Sequence, residues 1–599
     1  MTIVQSQLPT RAPAWAVLER QLFDAMDQAA PIFIDKYTRP GGSLVWTESY
    51  PGDGVWADDL YEAFFNWPVF YALGGSAYTG EKAVHQWNAL TCQITNDYGR
   101  ASKEFINDDD WFHNSENYIY FYALGLSDPT NAEMMRRARR FAGFYMSEDP
   151  EVPNYDPAHK IIRSPFSGSK GPLFHARFDD VRYNLEHGHT TLGPGFELPQ
   201  NWFADAATRA RIHARFDAVV MNGDIPVNLG VVPMVAHAYL LTHEEKYRDW
   251  VVEYVEAWLE RIEKNGGIIP DNIGPKGIIG ENRQGEWWGG FYGWAATFSQ
   301  QMIGSALTVA AESAYLITGE NRYLHLIRSQ LDMLLERARE ENGQLQIPHR
   351  YKGGSGWTDY GPPRSQEAVH LWAASMAPQD WERLEKLRQG DSHDWTTVSS
   401  RGPRGEDDRA WISYLAGDCP GYPEAILQAN YAEIHRRVQA IQEDEADLKT
   451  VDEHHWQQRN PVVPEALVQL TTGGPQAIYW GGLSRGRLRY FDARQQRPGL
   501  PPDVAALVSR LDADSVDVKL VNLSVCAERE LTVQAGTYGE HQFGRVEIEG
   551  EDKVLALDAK TFQLHLRPGT EIDLHIDMQL YKNKPGCAFP WHGEGIPFR

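Results

Sequence analysis

Cysteine is scarce in this chain, and long apolar runs are absent. The 599 residues include only Cys92, Cys419, Cys526 and Cys587, and no two of them form a C-x-x-C pair. This excludes a zinc ribbon and a disulfide framework and favours a reducing, cytoplasmic setting. No run approaches the length of about 20 apolar residues that a membrane helix needs. The first residues also lack the basic and apolar regions of a secretory signal, so we expect neither insertion nor secretion.

Basic charge and nucleotide-binding motifs are also missing. The chain has 57 lysines and arginines against 82 acidic residues, a formal net charge of −25. That charge repels phosphate backbones and anionic lipids, so we expect no nucleic-acid or membrane partner. There is no Walker loop, no G-x-G-x-x-G following a strand and no H-E-x-x-H. We therefore expect no cofactor, and the sequence leaves open whether copies of the chain associate.

Aromatic residues, in contrast, are plentiful. Trp, Tyr and Phe make up 12% of the chain, and 20 of them are tryptophans. Many stand beside Gly, Asp and Arg in loop-like stretches such as Gly285 to Trp294. Aromatic rings in polar loops are good platforms for sugar rings. This pattern indicates a carbohydrate ligand, an oligosaccharide or a polysaccharide fragment.

From about residue 14 to 440 the apolar residues follow a helical period, interrupted by loops with Gly and Pro. Related phrases end several helices: Y-A-L-G-G from Tyr71, Y-A-L-G-L from Tyr122, Y-L-L-T-H from Tyr239 and Y-L-I-T-G from Tyr315. Each closes an apolar helix and opens an amphipathic one, which predicts stacked helical hairpins. The apolar members, such as Gly230 to Leu241 and Ala295 to Ile317, would be buried on all sides, which favours a ring.

Beyond residue 464 the apolar period changes to two, as in strands. The stretches A-I-Y-W-G-G, R-L-R-Y-F-D, S-V-D-V-K-L-V-N-L, R-E-L-T-V-Q-A-G, R-V-E-I-E-G, T-F-Q-L-H-L and I-D-L-H-I-D-M predict a small antiparallel β-sandwich. We therefore divide the chain into a helical domain (1–445), a linker (446–465) and a C-terminal sandwich (466–599). The fold class predicted is mainly α with a β-rich C-terminus.

The hairpin phrases, the Trp- and Gly-rich loops before inner helices and the β-rich C-terminus resemble the (α/α)6-toroid carbohydrate-active enzymes. This group includes six-hairpin glycosidases, unsaturated glucuronyl hydrolases and several polysaccharide lyases. The resemblance covers roughly residues 14 to 440 and is architectural, since no family-specific motif matches. It implies a glycosidase that acts on the end of an oligosaccharide containing a uronic acid, with a lyase as the alternative.

Glycoside hydrolysis needs two carboxyl groups, which in a ring come from different inner-helix starts. In Asn107 to Gly125, Asp110, His113, Asn114 and Asn117 recur at helical spacing and share one face. We predict Asp110 as the general acid, with Asp59 or Glu286 as its carboxylate partner. A simple helix cap at Asn107 to Asp109 is the competing interpretation of these acids.

The predicted substrate-binding residues are aromatic rings that form subsites and polar groups that bind hydroxyls or a carboxylate. The aromatic residues are Trp56, Trp111, Trp287, Trp288, Tyr292 and Trp357, and the polar ones are Asp109, Asn114, Asn117, His187, Arg283 and Arg364. Arginine suits a uronate because its guanidinium matches a carboxylate in bidentate geometry.

Two other interpretations use the same residue types. A lyase would abstract a proton with His113 or His189 and use Tyr360 as the acid. A non-catalytic carbohydrate-binding protein would keep the aromatic residues without needing an acid pair. His187 and His189 form an H-x-H pair near Asp180 that could bind a metal, but we favour sugar binding or base catalysis there, and predict no metal.

Overall fold

The computed structural model describes residues 3–6, 8–9, 11–50, 58–388, 408–552 and 554–593. The α-helices are α1 Ala14–Tyr37, α2 Asp59–Glu62, α3 Trp67–Leu73, α4 Ala77–Asn96, α5 Trp111–Ser127, α6 Ala132–Gly143, α7 Phe178–Glu186, α8 Ala206–Val219, α9 Val231–Thr242, α10 Glu245–Lys264, α11 Ser299–Thr318, α12 His325–Glu336, α13 Gln366–Ser375, α14 Pro378–Arg388, α15 Arg409–Leu415, α16 Tyr422–Gln442 and α17 Glu465–Thr472. Within these ranges, no helix is both long and apolar enough to span a membrane.

The strands fall into a few short pairs near the helices and two larger sheets. They are β1 Ile3–Gln5, β2 Leu8–Pro9, β3 Ala101–Ser102, β4 Phe105–Ile106, β5 Asp109–Asp110, β6 Tyr155–Asp156, β7 Ile161–Ile162, β8 Phe166–Ser167, β9 Arg339–Glu341, β10 Gln344–Tyr351, β11 Trp357–Gly361, β12 Leu488–Asp492, β13 Arg497–Pro498, β14 Val504–Leu511, β15 Ser515–Asn522, β16 Arg529–Ala535, β17 Gln542–Ile548, β18 Val554–Ala559, β19 Thr561–Leu566 and β20 Thr570–Gln579.

The helices form a ring of hairpins. The inner helices α3, α5, α9, α11 and α13 each pack against the next, and α17 packs against α3. Between α13 and α17 the ring is bridged by Asp408, which receives a hydrogen bond from Gln469 and interacts electrostatically with His370. Outer helices including α4, α6, α10 and α12 pack behind them, and α1 lies along α16. This is the predicted (α/α)6 arrangement.

The inner helices form because their sequences are apolar on every side. All residues of α9, V-V-P-M-V-A-H-A-Y-L-L-T, are buried, whereas outer helix α10 buries only one face. A helix that is apolar all round is stable only when other elements surround it. The two inner helices predicted from composition correspond to α9 and α11, and the ring prediction is confirmed.

The C-terminal strands build a two-sheet sandwich. One sheet has the order β1-β19-β16-β12-β13, and the other has β14-β15-β20-β17-β18 with β2 beside β20. The N-terminal strands β1 and β2 thus belong to the sandwich, and α17 belongs to the ring. The predicted division at residues 445 and 466 does not include either of these two features. Buried alternate residues of both sheets, as in β19 of the first and β20 of the second, form the core between them.

One stretch predicted as a strand, A-I-Y-W-G-G, is a loop. It belongs to residues 473–487, which we call the inserted loop, between α17 and β12. Gly481 N–H donates to Tyr479 O and Gly482 N–H to Ile478 O, so the backbone turns back on itself. Ile478, Tyr479 and Trp480 are all buried, which explains the strand-like apolar pattern. The inserted loop lies against inner helices rather than in a sheet.

Candidate active site

The candidate site lies where the first inner helices begin. Helix α2, with Asp59 and Glu62, directly precedes α3 and packs against α5. Asp58 adjoins α2, and Asp109 and Asp110 adjoin the first turn of α5. Their side chains, together with Glu116 one helical turn further, are no more than 5% exposed. Six carboxyl groups are therefore buried together at one end of the ring.

Asp110 caps α5 and holds His113. Its Oδ1 accepts hydrogen bonds from the backbone N–H groups of Phe112 at 2.9 Å and His113 at 3.2 Å, and its Oδ2 lies 3.0 Å from His113 Nδ1. Burial lowers the pKa of His113, but the charge and hydrogen bond of Asp110 and the charges of Asp58 and Asp109 outweigh it and raise this pKa well above its ordinary value. Asp110 and His113 thus form a buried carboxylate–imidazolium pair.

Asp58, Asp59 and Glu116 form the second part of the cluster. Each offers a carboxylate oxygen, and the three oxygens lie within 4.8 Å of one another. Neither side-chain oxygen of Asp58 has a hydrogen-bond partner among the described residues. Oxygens this close suit either a divalent cation or shared protons.

Burial governs the ionisation of these acids. It raises the pKa of Asp58 well above the ordinary value; the charge of His113 opposes this shift, while Asp109 and Glu62 add to it. Burial, followed by the charge of Glu62, raises the pKa of Glu116 in the same way. The pKa of Asp109 rises to about 6 through burial and the charge of Asp110. Both shifts favour the protonated forms of Asp58 and Glu116.

His189 and Tyr292 form the opposite side of the site. Their ring centroids are 4.8 Å apart, and Tyr292 also lies 5.6 Å from Phe112 of α5. The charge of Asp110 acts on both His189 and Tyr292. Asn184 Oδ1 lies 2.9 Å from His189 Nδ1 and fixes the ring. The structure therefore brings the predicted residues Asp110, His113, His189 and Tyr292 together.

Burial lowers the pKa of His189 to about 4. In the unfolded chain the value is about 6.5, so the native state favours the neutral ring. Stability from this group is complete above pH 6.5 and is lost as pH falls towards 4. As the pH falls from 6.5 towards 4, we expect the free energy of unfolding to decrease less in His189→Gln than in the wild type, by up to about 2–3 kcal/mol. Urea unfolding at several pH values measures this, and equal pH dependence of both proteins would contradict it.

The backbone of the loop before α11 positions Tyr292. Tyr292 has φ +50°, a conformation that costs a non-glycine residue energy and is often found at functional sites. Its N–H donates to His189 O at 2.7 Å. The buried Asp271 carboxylate accepts the N–H groups of Gly289, Gly290 and Trp294 at 2.7–2.9 Å. Asp271 thus fixes the loop that carries Tyr292.

Arg283 differs from its predicted role. It is fully buried and donates to Thr191 Oγ1 at 2.9 Å, Thr191 O at 2.8 Å and Thr190 Oγ1 at 3.4 Å. A buried guanidinium needs acceptors for its donors, and these threonines supply them for Nη1 and Nη2, while Nε has no acceptor in the described residues. Arg283 therefore supports the segment that follows His189 and does not line the surface of the site.

The aromatic residues of the later loops form a separate group. Trp287, Trp288 and Trp357 surround Tyr351, with ring centroids 4.9, 5.7 and 5.2 Å away. Tyr360 lies in β11 of the same hairpin, under the guanidinium of Arg339 at 3.7 Å. Among the contacts of the described ranges, none joins Tyr360 to His113 or His189. The tyrosines that contact His189 are Tyr292, with ring centroids 4.8 Å apart, and Tyr183, at 5.6 Å.

The remaining predicted residues lie as follows. Trp111 is in the ring core, where its Nε1 donates to Tyr145 Oη at 3.1 Å, so it is too buried to line a subsite. Glu286 interacts electrostatically with Arg283 and not, in the contacts described, with the acid cluster. His187 is exposed to solvent, and its ring lies beside the ring of Tyr183. The amides of Asn114 and Asn117 are buried in α5 and lack partners within the described ranges. Trp56 lies outside the described residues.

Several site residues were not predicted. Glu116 follows His113 by three positions and Glu62 follows Asp58 by four. Helical spacing is the one sequence signal that could have indicated these two residues. Asp58 was passed over in favour of its neighbour Asp59. Trp480 of the inserted loop stacks on Phe112 at 5.6 Å with an interplanar angle of 23°, and Arg364 lies 5.8 Å above the Trp480 ring. Nothing in the local sequence marked Trp480.

Comparison with solved structures gives proteins of the six-hairpin glycosidase fold, as the architectural resemblance predicted. A D-mannose isomerase is 12% identical with a TM-score of 0.37, covering 66% of this chain and 90% of that one. An unsaturated glucuronyl hydrolase from Streptococcus agalactiae is 11% identical with a TM-score of 0.34, covering 80% and 100%. A family 76 glycoside hydrolase, a mannosidase from Bacteroides thetaiotaomicron, is 13% identical with a TM-score of 0.29, covering 75% and 99%.

Likeness at this level carries no argument about activity, and the fold described above is established by its own helix and strand contacts. No curated protein matches the sequence significantly. A family model described as a domain of unknown function, DUF8034, matches residues 2–468, which include the ring up to the first half of α17 and every residue of the acid cluster. The chain therefore belongs to the DUF8034 family.

Proposed function

We propose that the protein is a carbohydrate-active enzyme, a glycoside hydrolase that removes a sugar from the end of an oligosaccharide. The observation that carries this proposal is a pair of carboxyl groups in contrasting states. Asp58 is buried, its oxygens have no hydrogen-bond partner within the described chain, and burial raises its pKa well above the ordinary value, which favours its protonated form. Asp110 accepts hydrogen bonds on both oxygens beside the His113 imidazolium, as an ionised carboxylate does. Such a pair supplies an acid and a base at one pH.

We assign the general acid to Asp58 and the carboxylate role to Asp110. Asp110 is the general acid predicted from the sequence, but a carboxylate whose oxygens both accept N–H groups has no proton to donate. Asp110 therefore takes the role of the carboxylate partner. In hydrolysis, Asp58 protonates the glycosidic oxygen of the leaving group. Asp110 either activates water or attacks the anomeric carbon, and His113 holds it in place. Phe112, a partly buried ring next to Asp110, offers aromatic surface for the sugar.

A uronic acid in the substrate is the finer part of the proposal. Its support is Arg364, whose side chain is 24% exposed beside Trp480. The test is incubation of the protein with saturated uronate-containing and neutral oligosaccharides, followed by mass analysis of the products. Release of a terminal sugar with the mass of one added water is the expected result. Intact oligosaccharides throughout the panel would contradict the proposal.

One observation favours a lyase as the second candidate. Neutral His189 and protonated Tyr292 lie side by side, since burial lowers the pKa of His189 to about 4 and raises that of Tyr292 well above its ordinary value. A neutral imidazole can abstract the proton beside a uronate carboxylate, and a phenol can protonate the leaving oxygen. Elimination would leave a C4–C5 double bond that absorbs ultraviolet light. Absorbance growth with a saturated uronate substrate would favour this candidate.

A further inference from the structure

The inserted loop brings a tryptophan from the sandwich side of the ring to the candidate site. Three arginines at and after its end donate to carbonyls of inner helices: Arg485 to Glu312 O at 3.1 Å, Arg487 to Ala373 O at 2.7 Å and Arg489 to Leu126 O at 2.6 Å. All three side chains are buried between ring and sandwich. The base of the inserted loop is thereby fixed to α11, α13 and α5.

The tip of the inserted loop lies against the start of α5. Gly481, with φ +88°, comes so close to α5 that a Cβ there would lie 2.9 Å from Ser115 Cβ. Tyr479 packs on Phe65 at 5.9 Å and receives a hydrogen bond from Gln457 on its hydroxyl. These contacts hold Trp480 between Phe112 of α5 and Arg364. Only glycine fits at 481, so the position of Trp480 is built into the loop.

Trp480 also has an unused hydrogen-bond donor. Its side chain is 4% exposed, and within the described part of the chain its Nε1–H has no acceptor. Beside it, Arg364 Nε and Glu367 Oε1 form an ion pair at 3.6 Å, a separation too long for a hydrogen bond, and neither atom has another hydrogen-bond partner in the described residues. Buried donors and acceptors without partners are costly and therefore rare in native proteins. Here a buried indole N–H without a partner lies beside an Arg364–Glu367 ion pair whose Nε and Oε1 atoms form no hydrogen bond.

We propose that Trp480, Arg364 and Glu367 form a binding subsite for the terminal sugar. A sugar hydroxyl both donates and accepts, so neighbouring hydroxyls can receive the indole N–H and the Arg364 Nε–H and donate to Glu367. The subsite adjoins the catalytic cluster, because Trp480 stacks on Phe112, whose N–H is bound by Asp110. This inference rests on the proposed function and adds a specificity-determining residue from the sandwich side of the chain.

The test is Trp480→Phe, which keeps an aromatic ring and removes the N–H. The probes are the methyl glycosides of glucose, mannose and glucuronic acid, with calorimetry for binding, and the matching nitrophenyl glycosides, with kinetics for KM and kcat. For the glycoside that binds, we expect Kd and KM to rise about 10-fold, the loss of one hydrogen bond, with kcat and Tm nearly unchanged. Trp381→Phe, on outer helix α14 against Trp372, is the matched control and should change none of these values.

The possible outcomes distinguish failure of the proposed subsite from failure of the proposed hydrolase function. Unchanged Kd and KM in Trp480→Phe, with turnover intact and dependent on Asp58, would overturn the subsite and leave the hydrolase. Failure of the wild type to bind or cleave any of the glycosides would contradict the hydrolase and the subsite together. If Trp480→Phe lowers Tm, the measurements are repeated with Arg364→Gln. This variant should weaken binding of the same glycoside and leave Tm unchanged.

Discussion

Replacing Asp58 with asparagine is expected to lower kcat by about 10²- to 10⁴-fold, the usual contribution of a general acid. Asparagine has nearly the same shape but no acidic proton, so the sugar should still bind with a similar Kd. The loss should be much smaller for nitrophenyl glycosides than for oligosaccharides, because a nitrophenolate leaves without protonation. Steady-state kinetics with both substrate types and calorimetry for binding measure the three quantities.

The matched control for this variant is Glu19→Gln. Glu19 is also fully buried, and burial raises its pKa to about 8, but its Oε1 accepts the N–H of Ala506 in the sandwich. It contacts no residue of the acid cluster in the described structure, so activity should stay within about two-fold of the wild type. If Asp58→Asn kept full turnover of oligosaccharides while remaining folded, Asp58 would not be the acid.

Replacing Asp271 with alanine is expected to lower the free energy of unfolding by about 3–5 kcal/mol. The change removes the acceptor for three buried backbone donors, those of Gly289, Gly290 and Trp294. It also leaves a void where Asp271 packs against Gly290 and Gly293, two positions at which an added Cβ would clash with Asp271. Urea unfolding followed by tryptophan fluorescence measures the loss of stability.

The same substitution should reduce activity more than the stability loss alone explains. The loop held by Asp271 sets the strained backbone of Tyr292 and, through its N–H, the position of His189. Asp249→Ala, an exposed acid on α10, is the control and should change stability by no more than about 0.5 kcal/mol. A stability loss for Asp271→Ala as small as that of the control would show that water replaces the carboxylate.

The ring was predictable because its signal is local. An inner helix such as α9 is apolar all round and an outer helix such as α10 is amphipathic, and both patterns can be read within one element. Two stretches predicted to meet, Asp110 at the start of α5 and His189 in the loop after α7, do lie close together, as the contacts of Tyr292 with both Phe112 and His189 show. Glu116 carried the same helical-spacing signal and was simply passed over.

Other features depend on contacts that no local pattern records. Trp480 belongs to an apolar stretch whose spacing suits a strand, and only the packing of Gly481 on Ser115 makes it a loop beside α5. Arg283 stands in a Gly-rich loop that favours exposure, yet Thr190 and Thr191, far away in sequence, bury it. Our assignment of the acid role to Asp58 instead of Asp110 rests on hydrogen bonds and burial, which residue type alone does not determine.

The most direct test of the central claim is the fate of water in the reaction. The wild type is incubated with a panel of saturated oligosaccharides in water enriched in heavy oxygen, and the products are analysed by mass and by ultraviolet absorbance. We predict one heavy oxygen in the released terminal sugar, no new absorbance, and loss of this product in Asp58→Asn but not in Glu19→Gln. An unlabelled product that carries a double bond, or cleavage that persists in Asp58→Asn, would contradict this prediction.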